Sequence, residues 1–241
     1  MTVTAENISK RYFRKTGGAN HFYAVNALNL EIAGGGVTVL TGRSGSGKTT
    51  VLNILAGLLI PTEGKIRFGD TDLYSLDDRT LSRLRSEKIG VVPQGRSAVD
   101  TLTVMENILL PAKLYGRRLP EETACRWMDR LGIAQLRNAR PAELSGGELR
   151  RMAIVRALSG SPDVILADEP TDDLDDENTK LALSALREAA DSGKAVLLVT
   201  HEKEAFDYAD HIYRMDAGTI RPAAGDPAAA PDRAEPQGEP G

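Results

Sequence analysis

Residues 1–36 alternate apolar and polar positions: Val3, Ile8 and Tyr12, then Val25, Leu28, Leu30 and Ile32. A period of two suits strands with one packed and one wet face. It predicts a small, half-exposed antiparallel sheet with a loop around Gly17-Gly18-Ala19-Asn20. The pattern then changes to short apolar runs of the kind buried on both faces: Val37-Thr38-Val39-Leu40, Ile89-Gly90-Val91-Val92, Val164-Ile165-Leu166-Ala167-Asp168 and Ala195-Val196-Leu197-Leu198-Val199-Thr200. Thr49–Leu55 and a segment near 177–191 read as helices. Pro61-Thr62-Glu63-Gly64 reads as a turn, and Lys65-Ile66-Arg67-Phe68 before Gly69-Asp70 as a strand and hairpin exit. From about 97 to 161 the chain reads as mainly helical, punctuated at Pro111, Pro120 and Pro141. Strands alternating with helices predict an α/β fold around a mostly parallel sheet, with the helical stretch as an inserted subdomain.

Apolar periodicity stops at Pro222. The last stretch, 222–241, is rich in Pro, Ala, Gly and acidic residues and holds five of the twelve prolines. Such a composition buries too little surface to offset ordering entropy, so it predicts a disordered tail. The remaining bulk properties only exclude. The 241 residues suffice for one large or two small domains. A net charge of −4 argues against a nucleic-acid partner, which calls for a basic patch. No run reaches the roughly 18 apolar residues of a membrane span, and the N-terminus carries no apolar secretory stretch. A single cysteine, Cys125, excludes an internal disulfide framework and suits a reducing cytoplasm; beside Trp127 and Met128 it reads as a small helix residue.

Against this background one segment carries specific chemistry. Gly42-Arg43-Ser44-Gly45-Ser46-Gly47-Lys48-Thr49 reads G-x-x-x-x-G-K-[ST], between a buried-strand run and a helix. A loop whose successive N–H groups point inward neutralises phosphate oxygens without bulky side chains. Glycine at 42, 45 and 47 permits the close backbone approach, and the helix after it, which includes Thr50, presents its positive end. Lys48 would reach the β- and γ-phosphates of ATP, and the Thr49 hydroxyl would sit on Mg²⁺. Asp168, at the end of an apolar strand, stands where such a fold holds Mg²⁺. Glu169, next in sequence, can face the γ-phosphate and act as general base toward a water.

Taken with these, Leu144-Ser145-Gly146-Gly147-Glu148 followed by Arg151-Met152-Ala153-Ile154-Val155-Arg156-Ala157-Leu158 resembles the signature and following helix of ABC transporter ATP-binding subunits. The resemblance covers about residues 2–221, with a helical subdomain at about 97–161. It implies a P-loop NTPase (RecA-like) core, with an N-terminal antiparallel β subdomain and the helical insertion. In that family the signature completes the ATP site of the opposite subunit, Ser145 and Gly147 meeting the γ-phosphate; independently, Ser145 is a good N-cap for an anion-binding helix start. The resemblance gives His201 a γ-phosphate contact. It gives Gln94 contact with Mg²⁺ and the attacking water, and a link to the permease. Tyr12 becomes the adenine-stacking aromatic, with Tyr23 and Phe13 as competitors. His21 and His211 match nothing.

Three departures from the family pattern stand out. Pro93 replaces an aromatic, Asp172-Asp173 make the loop toward the other subunit unusually acidic, and Gly34-Gly35-Gly36 replaces a turn usually ending Gly-Glu. None removes a group needed for hydrolysis, so an active ATPase is expected.

Ser86-Glu87-Lys88-Ile89-Gly90 and Leu102-Thr103-Val104-Met105-Glu106-Asn107-Ile108-Leu109-Leu110-Pro111 look like the lipoprotein-release, macrolide-export and antimicrobial-peptide-resistance branch. The resemblance thus implies a homodimer on two ATPs at the cytoplasmic face of the plasma membrane, peripheral to a separate transmembrane permease and exporting a lipoprotein, peptide or drug. The alternative within the family is mechanical or regulatory work through a membrane partner without solute transport. A soluble ABC ATPase of ribosomes or DNA is disfavoured, because the chain has neither a second cassette nor a long coiled-coil insertion.

Overall fold

The computed structural model describes residues 1–14, 20–224 and 226–229. The expected loop at Gly17-Gly18-Ala19 lies outside the described residues. The chain opens with β1 (Val3–Arg14) and β2 (Asn20–Ile32), paired antiparallel as the alternation predicts. Then come β3 (Val37–Gly42) and α1 (Lys48–Leu55). The next strands, β4 (Glu63–Phe68) and β5 (Thr71–Asp72), return to the first sheet, whose order is β2-β1-β4-β5.

Next is α2 (Asp78–Lys88), an element the apolar pattern did not reveal. It buries one residue, Leu81, and its clearest signal is Asp77, whose carboxylate caps the helix by accepting from the Thr80 N–H. After β6 (Ile89–Val92) the chain runs through α3 (Val104–Leu114), α4 (Glu121–Arg130) and α5 (Gly146–Ser159), the helical insertion. Thr103 starts α3 with a reciprocal capping box to Glu106. The core resumes with β7 (Val164–Asp168), α6 (Asp176–Asp191), β8 (Ala195–Val199), β9 (His211–Asp216) and β10 (Thr219–Pro222).

The second sheet has the order β10-β9-β3-β8-β7-β6, parallel throughout except for β10. Both faces of its central strands are covered, and the period of two sorts them. Val37, Val39, Ile165, Ala167, Val196 and Leu198 pack with the helical insertion and α6. Leu40, Val164, Leu166, Ala195, Leu197 and Val199 pack with α1 and the antiparallel sheet. One consequence positions the chemistry. β3, β8, β7 and β6 all end at the same sheet edge, so the loops after Gly42, Val199, Asp168 and Val92 converge there.

The expectation of disorder from Pro222 begins too early. Pro222 pairs with Tyr213, and the Ala223 N–H donates to the Ile212 carbonyl at 2.8 Å. The buried Asp226 carboxylate accepts from the Ile212 N–H, 3.2 Å, and from the Ala228 N–H, 3.2 Å. This fastening is polar, which is why a hydrophobic pattern missed it. Residues 225 and 230–241 lie outside the described residues.

Candidate active site

The phosphate loop joins β3 to α1 and is shaped by glycines. Gly47 caps α1 in the left-handed region at φ 112°, and a Cβ there would collide with the Ala24 carbonyl of β2. A Cβ on Gly42 would run into the Met215 carbonyl of β9. The loop is thus pressed between the two sheets. Lys48 is buried, and its ammonium donates to the Gly42 carbonyl at 2.8 Å and the Arg43 carbonyl at 3.2 Å. Ser46 Oγ is buried with no hydrogen-bond partner among the described residues, an orphan that an anion in the loop would satisfy.

Opposite the loop stand the acids. Asp168 closes β7 with the Thr49 hydroxyl as hydrogen-bond partner; burial, reinforced by the Glu169 charge, raises its carboxyl above the usual range. Glu169 follows in the left-handed region at φ 48°, its N–H held by the Val199 carbonyl at 2.7 Å. Its carboxylate lies 3.1 Å from His201 Nδ1, and the Glu169 hydrogen bond and charge raise the imidazole's basicity. Asp172 joins them, its carboxyl pushed up first by burial and then by Glu169.

One cleft of about 860 Å³ is lined by Gly42, Arg43, Ser44, Gly45, Gly47, Lys48, Thr49, Thr50, Gln94, Asp168, Glu169, Asp172 and His201. It therefore brings together nearly all the site residues expected from sequence, while Ser46 lies beneath. At its mouth Tyr12 stacks on Phe22 with ring centroids 5.7 Å apart, and Phe13 also lines the wall. Tyr23 does not line it.

Ser145 and Gly147 are elsewhere. Ser145 is exposed and caps α5, accepting from the Glu148 N–H at 3.3 Å, while Glu148 Oε2 accepts from the Ser145 N–H at 2.8 Å. Ser145 and Gly147 line a separate hollow with Gly146, Arg151, Asp173, Leu174, Asp175 and Asn178. Within one chain, Lys48 and Ser145 do not share a site.

Residues 25–172 match the family model described as ABC transporter. The chain belongs to the ABC transporter family. An uncharacterised ABC transporter ATP-binding protein of Mycobacterium tuberculosis is 36% identical over 225 residues, which is 91% of this chain and 67% of that one. The chain thus spans only about two thirds of that relative, and 61% of another from the same species. The lipoprotein-releasing system ATP-binding protein LolD of Treponema denticola is 39% identical over 196 residues, 80% of this chain and 87% of that one.

Among solved structures, the ATP-binding cassette MJ0796 of Methanocaldococcus jannaschii superposes with a TM-score of 0.83 at 34% identity. The match covers 90% of this chain and 96% of that one, and that structure is a dimer in a post-hydrolysis state bound to ADP and Pi. The protein is an ABC ATP-binding subunit and an ATPase.

Two features of this ABC subunit escaped sequence reasoning. Phe22 lines the mouth beside Tyr12 because the two face each other across β1 and β2, a register that only strand pairing reveals. Arg150, directly before Arg151 on the signature helix, is buried and donates to the Pro93 carbonyl at 2.9 Å. Two adjacent arginines near a helix start give no sequence signal as to which one turns inward.

Proposed function

We propose that two copies of the chain close head to tail on two ATPs and drive a separate permease that exports a lipoprotein, peptide or drug-like cargo. The observation that carries this reading is the placement of Ser145. The positive end of α5 sits exposed at Ser145 and Gly146, away from the cleft of its own chain, and suits the γ-phosphate of a nucleotide held by another copy once the Ser145 hydroxyl leaves Glu148. The dimeric MJ0796 cassette supports the pairing and the LolD similarity the cargo class. A Staphylococcus aureus relative, 34% identical, carries the name putative hemin import ATP-binding protein; relatives thus differ in cargo, as expected if the permease selects it. Among the described residues no helix is long and apolar enough to cross a membrane, so attachment to the cytoplasmic face would be peripheral.

Permease docking fits a second groove, of about 350 Å³, between α2, β6 and α3, where the exposed Leu58, Leu114 and Tyr115 stand beside Arg85 and Arg117. The groove borders β6, and the loop after β6 carries Gln94 into the ATP cleft, so contact at one place reaches the other.

In the cleft, Lys48 and the loop amides bind the β- and γ-phosphates, and Tyr12 stacks on adenine. Thr49, Asp168 and Gln94 offer hard oxygen donors, and a cation would favour the ionised form of Asp168 that burial disfavours, so the set fits Mg²⁺. When bound, Mg²⁺ supplies charge neutralisation at the phosphates. Glu169 takes the proton of the attacking water, and His201, held by Glu169, contacts the γ-phosphate. Glu169→Gln is expected to lower turnover by about 10²–10⁴-fold while ATP binding persists. Near-wild-type hydrolysis would remove Glu169 from this role. Purification from membranes is expected to recover a permease; recovery with ribosomes and no membrane protein would sink the reading.

A further inference from the structure

Two arginines of α5 grip the loop that carries Gln94. Arg150 is only 6% exposed, and its guanidinium donates to the Pro93 carbonyl, the residue immediately before Gln94, at 2.9 Å. Arg156, further along the same helix, donates to the Ser97 carbonyl at 2.8 Å and to Ser97 Oγ at 2.5 Å. The loop is therefore held on both sides of Gln94 by one helix, the one that Ser145 caps.

A buried arginine costs a great deal of solvation, and one carbonyl does not repay it. The acids of the cleft offset part of that cost. The Arg150 charge favours the ionised forms of both Asp168 and Asp172, so the guanidinium lies within the field of the cleft carboxylates. Arg150 thus joins three things: the first turns of α5, the backbone that aims Gln94, and the acidic wall of the chain's own ATP cleft. A helix transmits displacement along its axis with little loss, and Ser145 to Arg150 is a rise of about 7 Å.

We infer that Arg150 is a positioning residue that couples the two ATP sites. A nucleotide held on Ser145 by the partner copy moves or fixes the start of α5, and Arg150 carries that movement to Gln94 in the cleft of its own chain. The inference rests on the head-to-tail reading given above and adds a direction to it: each chain's cleft is set for hydrolysis by the nucleotide of the opposite site. Arg150 does not line the ATP cleft, so its removal is expected to impair turnover and cooperativity rather than ATP affinity.

The test uses the full chain, with steady-state hydrolysis over an ATP titration and affinity read with a fluorescent ATP analogue. Arg150→Met is expected to lower kcat by about tenfold, keep analogue affinity within about twofold and bring the Hill coefficient from above unity to about one. Arg150→Lys, which keeps a donor and a charge, is expected to recover part of kcat. The decisive variant is the double Ser145→Ala/Arg150→Met. If Arg150 relays what Ser145 receives, the double is no slower than the slower single; losses that multiply would mean two independent roles and overturn the inference. An unchanged kcat in Arg150→Met, or a loss confined to affinity, would overturn it equally. If Arg150→Met does not fold, the same cycle is run with Arg150→Lys, where multiplying losses would again mean two independent roles. A wild-type Hill coefficient of one with Ser145→Ala fully active would instead remove the head-to-tail reading itself.

Discussion

The phosphate loop and the N-terminus of α5 are both glycine-rich helix starts, yet the fold treats them oppositely. The loop is wedged between two sheets, with Lys48 and Ser46 buried and Gly47 and Gly42 barred to side chains by the Ala24 and Met215 carbonyls. The start of α5 is open at Ser145 and Gly146, which are exposed, the nearest atoms to a Cβ on Gly146 being the Asp173 side chain at 3.5–3.6 Å; only at Gly147 would a Cβ meet backbone, the Asp173 carbonyl at 2.9 Å. The half-site that holds a nucleotide first can be enclosed by its own chain. One that must meet another molecule has to stay at the surface, and here Glu148 holds both the Ser145 N–H and its hydroxyl, which must turn from Glu148 to reach a phosphate.

The sharpest way to break this comparison is to disable each region in a different copy. Lys48→Ala homodimers are expected to be nearly inactive, and Ser145→Ala homodimers to keep a measurable residue of roughly 1% of wild-type hydrolysis. In a one-to-one mixture, the mixed dimer keeps one intact site, so hydrolysis should rise above both homodimers toward a ceiling of roughly a quarter of wild type, falling short of it by about the tenfold that lost coupling to the disabled opposite site costs. No recovery on mixing would mean that both regions serve one site in one chain. Thr103→Ala controls for lost capping: it removes the equivalent box on α3, at about 1 kcal/mol of stability, and should leave hydrolysis intact.

A smaller effect concerns the mouth of the cleft. Tyr12→Ala is expected to weaken ATP binding by about tenfold, in line with base stacking on an aromatic, and Tyr23→Ala to leave it unchanged. Equal losses measured by calorimetry would remove the distinction that the cleft lining draws between them.

The smallest effect is on stability against pH. Glu169 raises the His201 pKa above its ordinary value of 6.5, so the pair stabilises the fold fully below that value. The contribution is lost as pH rises through the raised folded value. Because the His201 side chain is 68% exposed, the gap between wild type and His201→Gln should stay well under about 1 kcal/mol, larger at pH 6 than at pH 8. A gap that widens with pH in denaturant melts would contradict the pairing.

Most of the cleft was legible because its parts are short-range. The strand–loop–helix around Gly42–Thr49 and the Asp168-Glu169 pair at a strand end are each spelled within a few residues, and parallel strands carry them to one edge. What sequence hid depends on partners far along the chain. Phe22 reaches the cleft mouth through its register with Tyr12, and Arg150 turns inward because Pro93 and the cleft acids await it. α2 was missed because a helix with one buried residue leaves almost no apolar stripe. The Asp226 fastening was missed because a single carboxylate replaces the apolar contacts that periodicity detects. The acidic Asp172-Asp173 pair was visible, but its division of labour was not: Asp172 faces the cleft, while Asp173 lies against the start of α5.

Glu169 sits in a backbone conformation that side-chain-bearing residues avoid, at a cost on the order of 1–3 kcal/mol. Glycine there would relax the backbone and discard the carboxylate together. A population of variants screened for heat tolerance alone would therefore drift toward loss of this glutamate, and the most durable survivors would be those that no longer turn over ATP. On the general-base role proposed for Glu169, the acid at this position exchanges backbone stability for the reaction.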